Sequence, residues 1–177
     1  MSFNNLDSHP YYPLIASTAR FLGPFIASST AGSILTLSYY SIPIIRSTST
    51  EHSTKTALQQ LRALFSSGSH VFPPLAFAAT TCYAISAYVC DDPAHRRGYI
   101  VAAMGSIGIA PFTTLVMLPV ANQRLIDLDE KAKKGDYDGV KNSKEVDELL
   151  RSFEWLNAIR AGIMAVGATV GLWTALN

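Results

Sequence analysis

Glu154, Asn157 and Arg160 follow one another at intervals of three, so on a helix the outer two lie within about 60° of Asn157. The same face continues as Ala161, Met164 and Ala168. A guanidinium stays charged and offers five donors in one plane, so Arg160 on this face can hold an anionic oxygen of a ligand. It can equally pair with Glu154 or a neighbouring helix, or reach toward the membrane interface. A second polar set lies in APFTTLVMLPVANQRL, Ala110 to Leu125. Pro111 and Pro119 each leave a carbonyl one turn earlier without its donor, an opening that Thr113, Thr114 or a ligand can fill, so a distorted helix is expected. Asn122 closes this stretch and meets the level of Asn157 and Arg160 if the two helices are antiparallel neighbours; otherwise it caps a helix end. His70 is the only histidine beside an apolar run, set between Gly68 and Val71-Phe72-Pro73-Pro74. A neutral imidazole in a partly dry crevice is a suitable general base, while the same ring bonded to backbone would be merely interfacial.

Other chemistries find no support. His9, His52 and His95 stand in polar segments without HxxH spacing, and Asp91, Asp92 and His95 read as a solvated turn, so no metal site is assigned. GxSxG, a Walker loop and a GxGxxG followed by an acid are all missing, which leaves hydrolase and nucleotide-binding readings without a motif. Met104, Met117 and Met164 fit core filling, or a pocket for a flat aromatic ligand.

The elements that must position these groups are set by where charge is missing. Four runs lack Asp, Glu, Lys and Arg: Phe21 to Ile45 (25 residues), Ala63 to Cys90 (28), Gly98 to Gln123 (26) and Ala161 to Asn177 (17). A hydrocarbon core takes about 20 apolar helical residues to cross, which three runs exceed and the fourth reaches if it begins near Phe153. Only a helix or a closed barrel satisfies its own backbone in lipid. The expected fold is therefore all-α, one membrane domain over residues 1–177, an integral four-helix bundle with spans at about 21–45, 69–90, 99–122 and 153–176. Between the first two spans, Ala57, Leu58, Leu61, Leu64 and Phe65 recur at spacings of three and four. That is an amphipathic helix, read as lying at the interface and running into the second span. Gly68 and Pro73-Pro74 are expected to punctuate it with a bend or an entry crevice. Residues of about 124–150 read as a solvated loop, Asp127 to Ser143 as a linker or frayed helix, with Asn142 and Glu145 placed as a capping box for the last helix.

With 49% hydrophobic and 15% charged residues, the chain falls well short of the charge of an ordinary soluble domain. Fourteen Lys and Arg against 13 Asp and Glu give a net charge of +1, no basis for gripping nucleic acid. Cys82 and Cys90 would stand about 12 Å apart along a helix, too far for a bridge. The opening stretch lacks a basic cluster followed by a short apolar core, so no cleaved signal is expected. Ten Lys and Arg flank the ends after spans one and three, against three on the other side, which places those ends in the cytoplasm. Small residues four apart (Ser29 and Ser33, Ala158 and Gly162, Ala161 and Ala165, Gly167 and Gly171) read as helix seams. Tyr39, Tyr40, Tyr83, Tyr88, Tyr99 and Trp155 read as interfacial belts.

The order of these features resembles the anthrone oxygenase-like membrane proteins, small four-span proteins often found with aromatic polyketide pathways. The resemblance is carried by Gly32 to Pro43, by the Gln59-Gln60 helix leading to Gly68 and Pro73, by Pro111-Phe112-Thr113 through Pro119 and Asn122 to Leu125, and by Asn157-x-x-Arg160 after Trp155. It covers about Phe21 to Leu176. It implies a monooxygenase that converts an anthrone to the anthraquinone with molecular oxygen as co-substrate and no other cofactor. On that resemblance, His70 takes the methylene proton while Arg160, Asn157 and Asn122 hold the carbonyl oxygen as it gains charge. Gln59, Gln60, Thr113, Met117, Trp155 and Met164 would contact a small aromatic polyketide arriving from membrane lipid. The protein would sit in an internal membrane such as the endoplasmic reticulum. The competing expectation is a non-enzymatic four-span protein with a structural or lipid-binding role.

Overall fold

The structure is a computed structural model and describes residues 12–47, 54–134 and 143–177. In chain order the elements are α1 (Tyr12–Thr36), a π-helical turn at Leu37–Ser41, α2 (Ile42–Ser47), α3 (Thr54–Tyr88), α4 (Pro93–Ile107), α5 (Ile109–Phe112), a π-helix at Thr113–Asn122, α6 (Gln123–Lys133) and α7 (Ser143–Leu176). These merge end to end into four rods, Pro13–Ser47, Thr54–Tyr88, Pro93–Lys133 and Lys144–Leu176, each long and apolar enough to cross a membrane. The described residues contain no strand. The first and third rods each pack against the second and fourth, making an up-and-down four-helix bundle. Gly98 lies against Thr174 and Gly105 against Gly167, so the third and fourth rods are antiparallel.

The rods hold 33 to 41 residues, roughly 50–60 Å of helix. That exceeds a hydrocarbon layer of about 30 Å, so each charge-free run is only the apolar part of a longer helix. The excess gathers at one end and builds a second core there. One cluster of buried residues is mostly alanine (Ala27, Ala31, Ala76, Ala79, Ala102, Ala161, Ala168) around Ile34, Tyr83 and Met164. The other is built from large aliphatic side chains, among them Ile42, Leu58, Leu61, Leu125, Leu128 and Leu150.

Several expectations change in this light. The amphipathic stretch is real, with Ala57, Leu58 and Leu61 buried, but it is the opening of α3, and its apolar face packs on α6 and α7. Pro73 and Pro74 both lie inside the continuous α3. The helix of the third rod continues to Lys133 inside the stretch read as a solvated loop, and α7 begins at Ser143, also within it. Leu125, Leu128 and Ala132 bury a stripe of α6 that the surrounding charges obscured. Asn142 lies outside the described residues; Glu145 accepts from Arg124 Nε at 2.7 Å. Tyr83 and Tyr99 are buried rather than interfacial, whereas Tyr39, Tyr40, Tyr88 and Trp155 are exposed. Of the small-residue pairs, Gly167 meets Gly105 backbone and Gly171 meets the Tyr83 ring, while Ser29, Ser33 and Gly162 face outward.

The distortion expected between Pro111 and Pro119 takes the form of the ten-residue π-helix Thr113–Asn122. Its wider turn ends with the Gln123 N–H donating to the Leu118 carbonyl five residues back. Thr113 and Thr114 donate to the Ile109 and Ala110 carbonyls at 2.7 and 3.2 Å, so both hydroxyls are tied to the preceding turn. Departures of this kind concentrate at functional sites, and this one lines the principal cavity.

Candidate functional site

A cavity of about 770 Å³ opens between α3 and the third rod, within the usual range for small-molecule sites. Leu61, Phe65, Phe72 and Pro73 line one wall, Ile109, Leu118 and Leu125 the other, and Phe153 and Arg160 of α7 close it. The wall is mainly apolar because α3 turns Leu58, Leu61, Leu64, Phe65 and Phe72 toward it, with Arg62, Ser66 and Ser69 as its polar contributors.

Arg160 is the principal charge on the apolar part of that wall. Its Cζ lies 5.5 Å from the centroid of the Phe72 ring, a cation–π contact that orients the guanidinium plane. Nη1 donates to Thr113 Oγ1 across a long 3.5 Å, and Thr113 can accept because its own proton is given to Ile109. Nε is buried with no hydrogen-bond partner. Glu154, the carboxylate best placed in sequence to neutralise it, instead accepts from Arg46 Nη1 at 3.0 Å. Arg46 also binds Asp147 through Nε and Nη2 at 2.8 and 3.2 Å. Among the described residues no carboxylate forms an ion pair with Arg160. A buried guanidinium with donors unspent is a standing demand for an acceptor, which a ligand oxygen can meet.

Asn122 also lines the cavity, with Oδ1 buried and without a partner. Thr113 joins it there, so three of the ten residues singled out from sequence come together. The others lie elsewhere. Asn157 is buried off the cavity, where Nδ2 donates to the Ile34 carbonyl and to Ser38 Oγ, both at 3.1 Å, and so ties α7 to the first rod. His70 is exposed and not on the cavity wall, with Nδ1 2.6 Å from the Ser66 carbonyl. A carbonyl only accepts, so Nδ1 carries the proton and Nε2 of the neutral ring is left as the basic nitrogen. Gln59 and Gln60 are exposed, and Trp155 is 67% exposed. Met117 and Met164 are wholly buried in the two cores, where they fill space between helices.

One polar group on the wall has no counterpart among the sequence-level candidates. Asp129, only 3% exposed, accepts Arg62 Nη1 at 2.5 Å and Lys133 Nζ at 3.0 Å. Arg62 and Asp129 both line the cavity. The available signal was that Asp129 sits in the arc of Leu125, Leu128 and Ala132, where an acid must find partners. Asp92 is the N-cap of α4: its carboxylate accepts the His95 N–H at 2.8 Å, and chiefly that bond holds its pKa below the usual range. This makes the Asp91, Asp92 and His95 turn a helix start, and no group of three metal-ligating side chains occurs among the described residues.

A bundle of four membrane-length helices around a largely apolar cavity, with a buried guanidinium that no carboxylate among the described residues pairs, defines the class: a multi-pass membrane protein with a small-molecule-sized cavity. The chain matches the anthrone oxygenase family model over residues 61–170 and belongs to that family. It is 29% identical to anthrone oxygenase AgnL2 of Paecilomyces divaricatus, covering 88% of this chain and 91% of that one. It is 31% identical to anthrone oxygenase encC of Aspergillus fumigatus (82% and 86%), and 25% identical to the noranthrone monooxygenase of Aspergillus flavus (86% and 71%). No solved structure matches the chain. It is thus an anthrone oxygenase-like monooxygenase of polyketide tailoring, which sets aside a purely structural role.

Proposed function

We propose that this chain oxidises an anthrone-type aromatic polyketide to the anthraquinone with molecular oxygen, and that the reaction takes place in the cavity beside Arg160. The observation that carries the reading is the buried, carboxylate-free guanidinium at an apolar wall. An anthrone methylene is acidic because its anion places charge on the carbonyl oxygen across the ring. A guanidinium fixed where that charge develops stabilises the anion more than the neutral substrate, and low dielectric strengthens the effect. The anion is electron-rich enough to reduce oxygen directly. Recombination gives a hydroperoxide at the former methylene, and loss of water leaves the second carbonyl. The two hydrogens and one oxygen atom leave as water, so the balance needs neither metal nor flavin.

His70 lies off the cavity wall, so it serves as proton acceptor through a bridging water, with Nε2 as the basic nitrogen. Asn157 acts by fixing α7, and hence Arg160, against the first rod. The charge-rich end of the bundle faces the cytoplasm of an internal membrane, and substrate enters from lipid.

Anaerobic deuterium exchange at the anthrone methylene isolates the proton step from oxygen chemistry. Wild-type protein is expected to exchange above the spontaneous rate, Arg160→Leu to lose that excess, and His70→Ala to reduce it about 10²-fold or more. Exchange by His70→Ala at the wild-type rate would remove His70 from the mechanism.

A further inference from the structure

The cavity is longer than one hydrogen-bonding group requires, and its far end carries a second polar pole. Arg62 and Lys133 both bind Oδ2 of Asp129, and Oδ1 of the same carboxylate has no partner among the described residues. A carboxylate bound by two cations offers its remaining oxygen as an acceptor. Asn122 lies on the same wall, earlier in the same rod, with its own amide oxygen unpaired. Ile126 fills the wall between Asn122 and Asp129, so the two acceptors stand about two helical turns apart along one side of the cavity.

The two poles are spaced for a single planar ligand. Phe72 places the Arg160 end and its ring reaches back to the level of Gly68, where an added Cβ would meet it at 3.3 Å. Arg62 marks the other end, six to ten residues away along α3, or roughly 9–15 Å. Between hydrogen bonds of about 3 Å at each end, that leaves the reach from a central carbonyl to a hydroxyl on a terminal ring of a three-ring aromatic. Phe65, Leu61 and Leu118 supply the flat apolar walls between.

We propose that Asp129 reads a free phenolic hydroxyl on the terminal ring of the substrate farthest from Arg160, and so selects hydroxylated ring systems over their ethers. The inference rests on the function proposed above. It assigns Asp129 to specificity, and Arg160 to the reacting centre. A site built to accept a hydroxyl proton rejects a ligand without one, because the buried acceptor is then left unpaired.

The test compares an anthrone bearing a free terminal-ring hydroxyl with its methyl ether. Wild-type protein in detergent should favour the phenol at least about 100-fold in kcat/KM. Asp129→Asn should bring that ratio to within about tenfold of unity, while Arg160→Leu should depress both substrates and leave the ratio standing. If Asp129→Asn does not fold, the wild-type binding ratio decides instead. A wild-type ratio near one, or a ratio unmoved in a folded variant, overturns the proposal. Equilibrium binding of the two compounds, followed by ligand fluorescence, gives the same preference without turnover. Oxidation of neither compound would therefore overturn the enzymatic reading, while the binding ratio still judges the selectivity.

Discussion

The two halves of the bundle are held together by different physics. At one end, alanines and glycines let the rods approach until Gly105 and Gly167 touch backbone to backbone, and large apolar side chains such as Phe21, Phe25, Phe77 and Trp173 face outward. At the other end, Leu and Ile fill the core, Arg62 pairs with the buried Asp129 at the cavity, and the outside is laced by Arg46 with Asp147 and Glu154 and by Arg124 with Glu145. The charge-poor half associates by close packing, the mode that serves where no hydrophobic drive acts between helices. In the charge-rich half, burial of large side chains and surface ion pairs take over. The cavity lies where the two halves meet, bordered by residues of both cores such as Phe72 and Ile109 on one side and Leu61 and Leu125 on the other.

This contrast can be broken from either side. The largest stability effect is expected from Leu150→Ala, which empties a fully buried position of the aliphatic core and should cost about 2–5 kcal/mol in detergent denaturation. Asn157→Leu follows at about 1–3 kcal/mol, because it removes the buried donor to the Ser38 hydroxyl and the shorter of two side-chain bonds to the Ile34 carbonyl. Gly105→Ala is expected to cost a similar 1–3 kcal/mol, roughly, since its Cβ would come within 2.8 Å of the Gly167 Cα and backbone cannot yield as a side chain does. Smallest is Arg46→Met, at about 1 kcal/mol, for a half-exposed ion-pair network. High salt should erase most of the Arg46 effect and leave that of Gly105 unchanged, and thermal unfolding at two ionic strengths measures both. An equal response of the two variants to salt would remove the division between the halves.

Much of this was legible in the sequence. The charge-free runs located the four helices, since only long apolar stretches tolerate such a loss of charge, and the 3–4 spacing of Ala57, Leu58 and Leu61 identified the buried face of α3. Periodicity names a face without naming what covers it, so the spacing alone points to a membrane interface where α6 and α7 stand. The same limit applies to the site. Arg160, Asn122 and Thr113 stand out in sequence as polar groups in apolar surroundings, and they share one cavity. Asn157 has the same signature but lies off the cavity, bonded to Ile34 and Ser38 of the first rod. Asp129 is hidden among Lys and Glu in the sequence, and only the tertiary fold brings Arg62 across to it.

Arg160 is the residue on which the proposed reaction depends most. Oxygen uptake and quinone absorbance should be followed with an anthrone, for metal-depleted wild-type protein and Arg160→Leu, in samples matched for helicity and melting temperature and corrected for air oxidation. The expected result is turnover by the wild type and a loss of about 10²–10³-fold in the variant, the scale of removing a donor from a developing oxyanion. Equal turnover by the two folded proteins would contradict it.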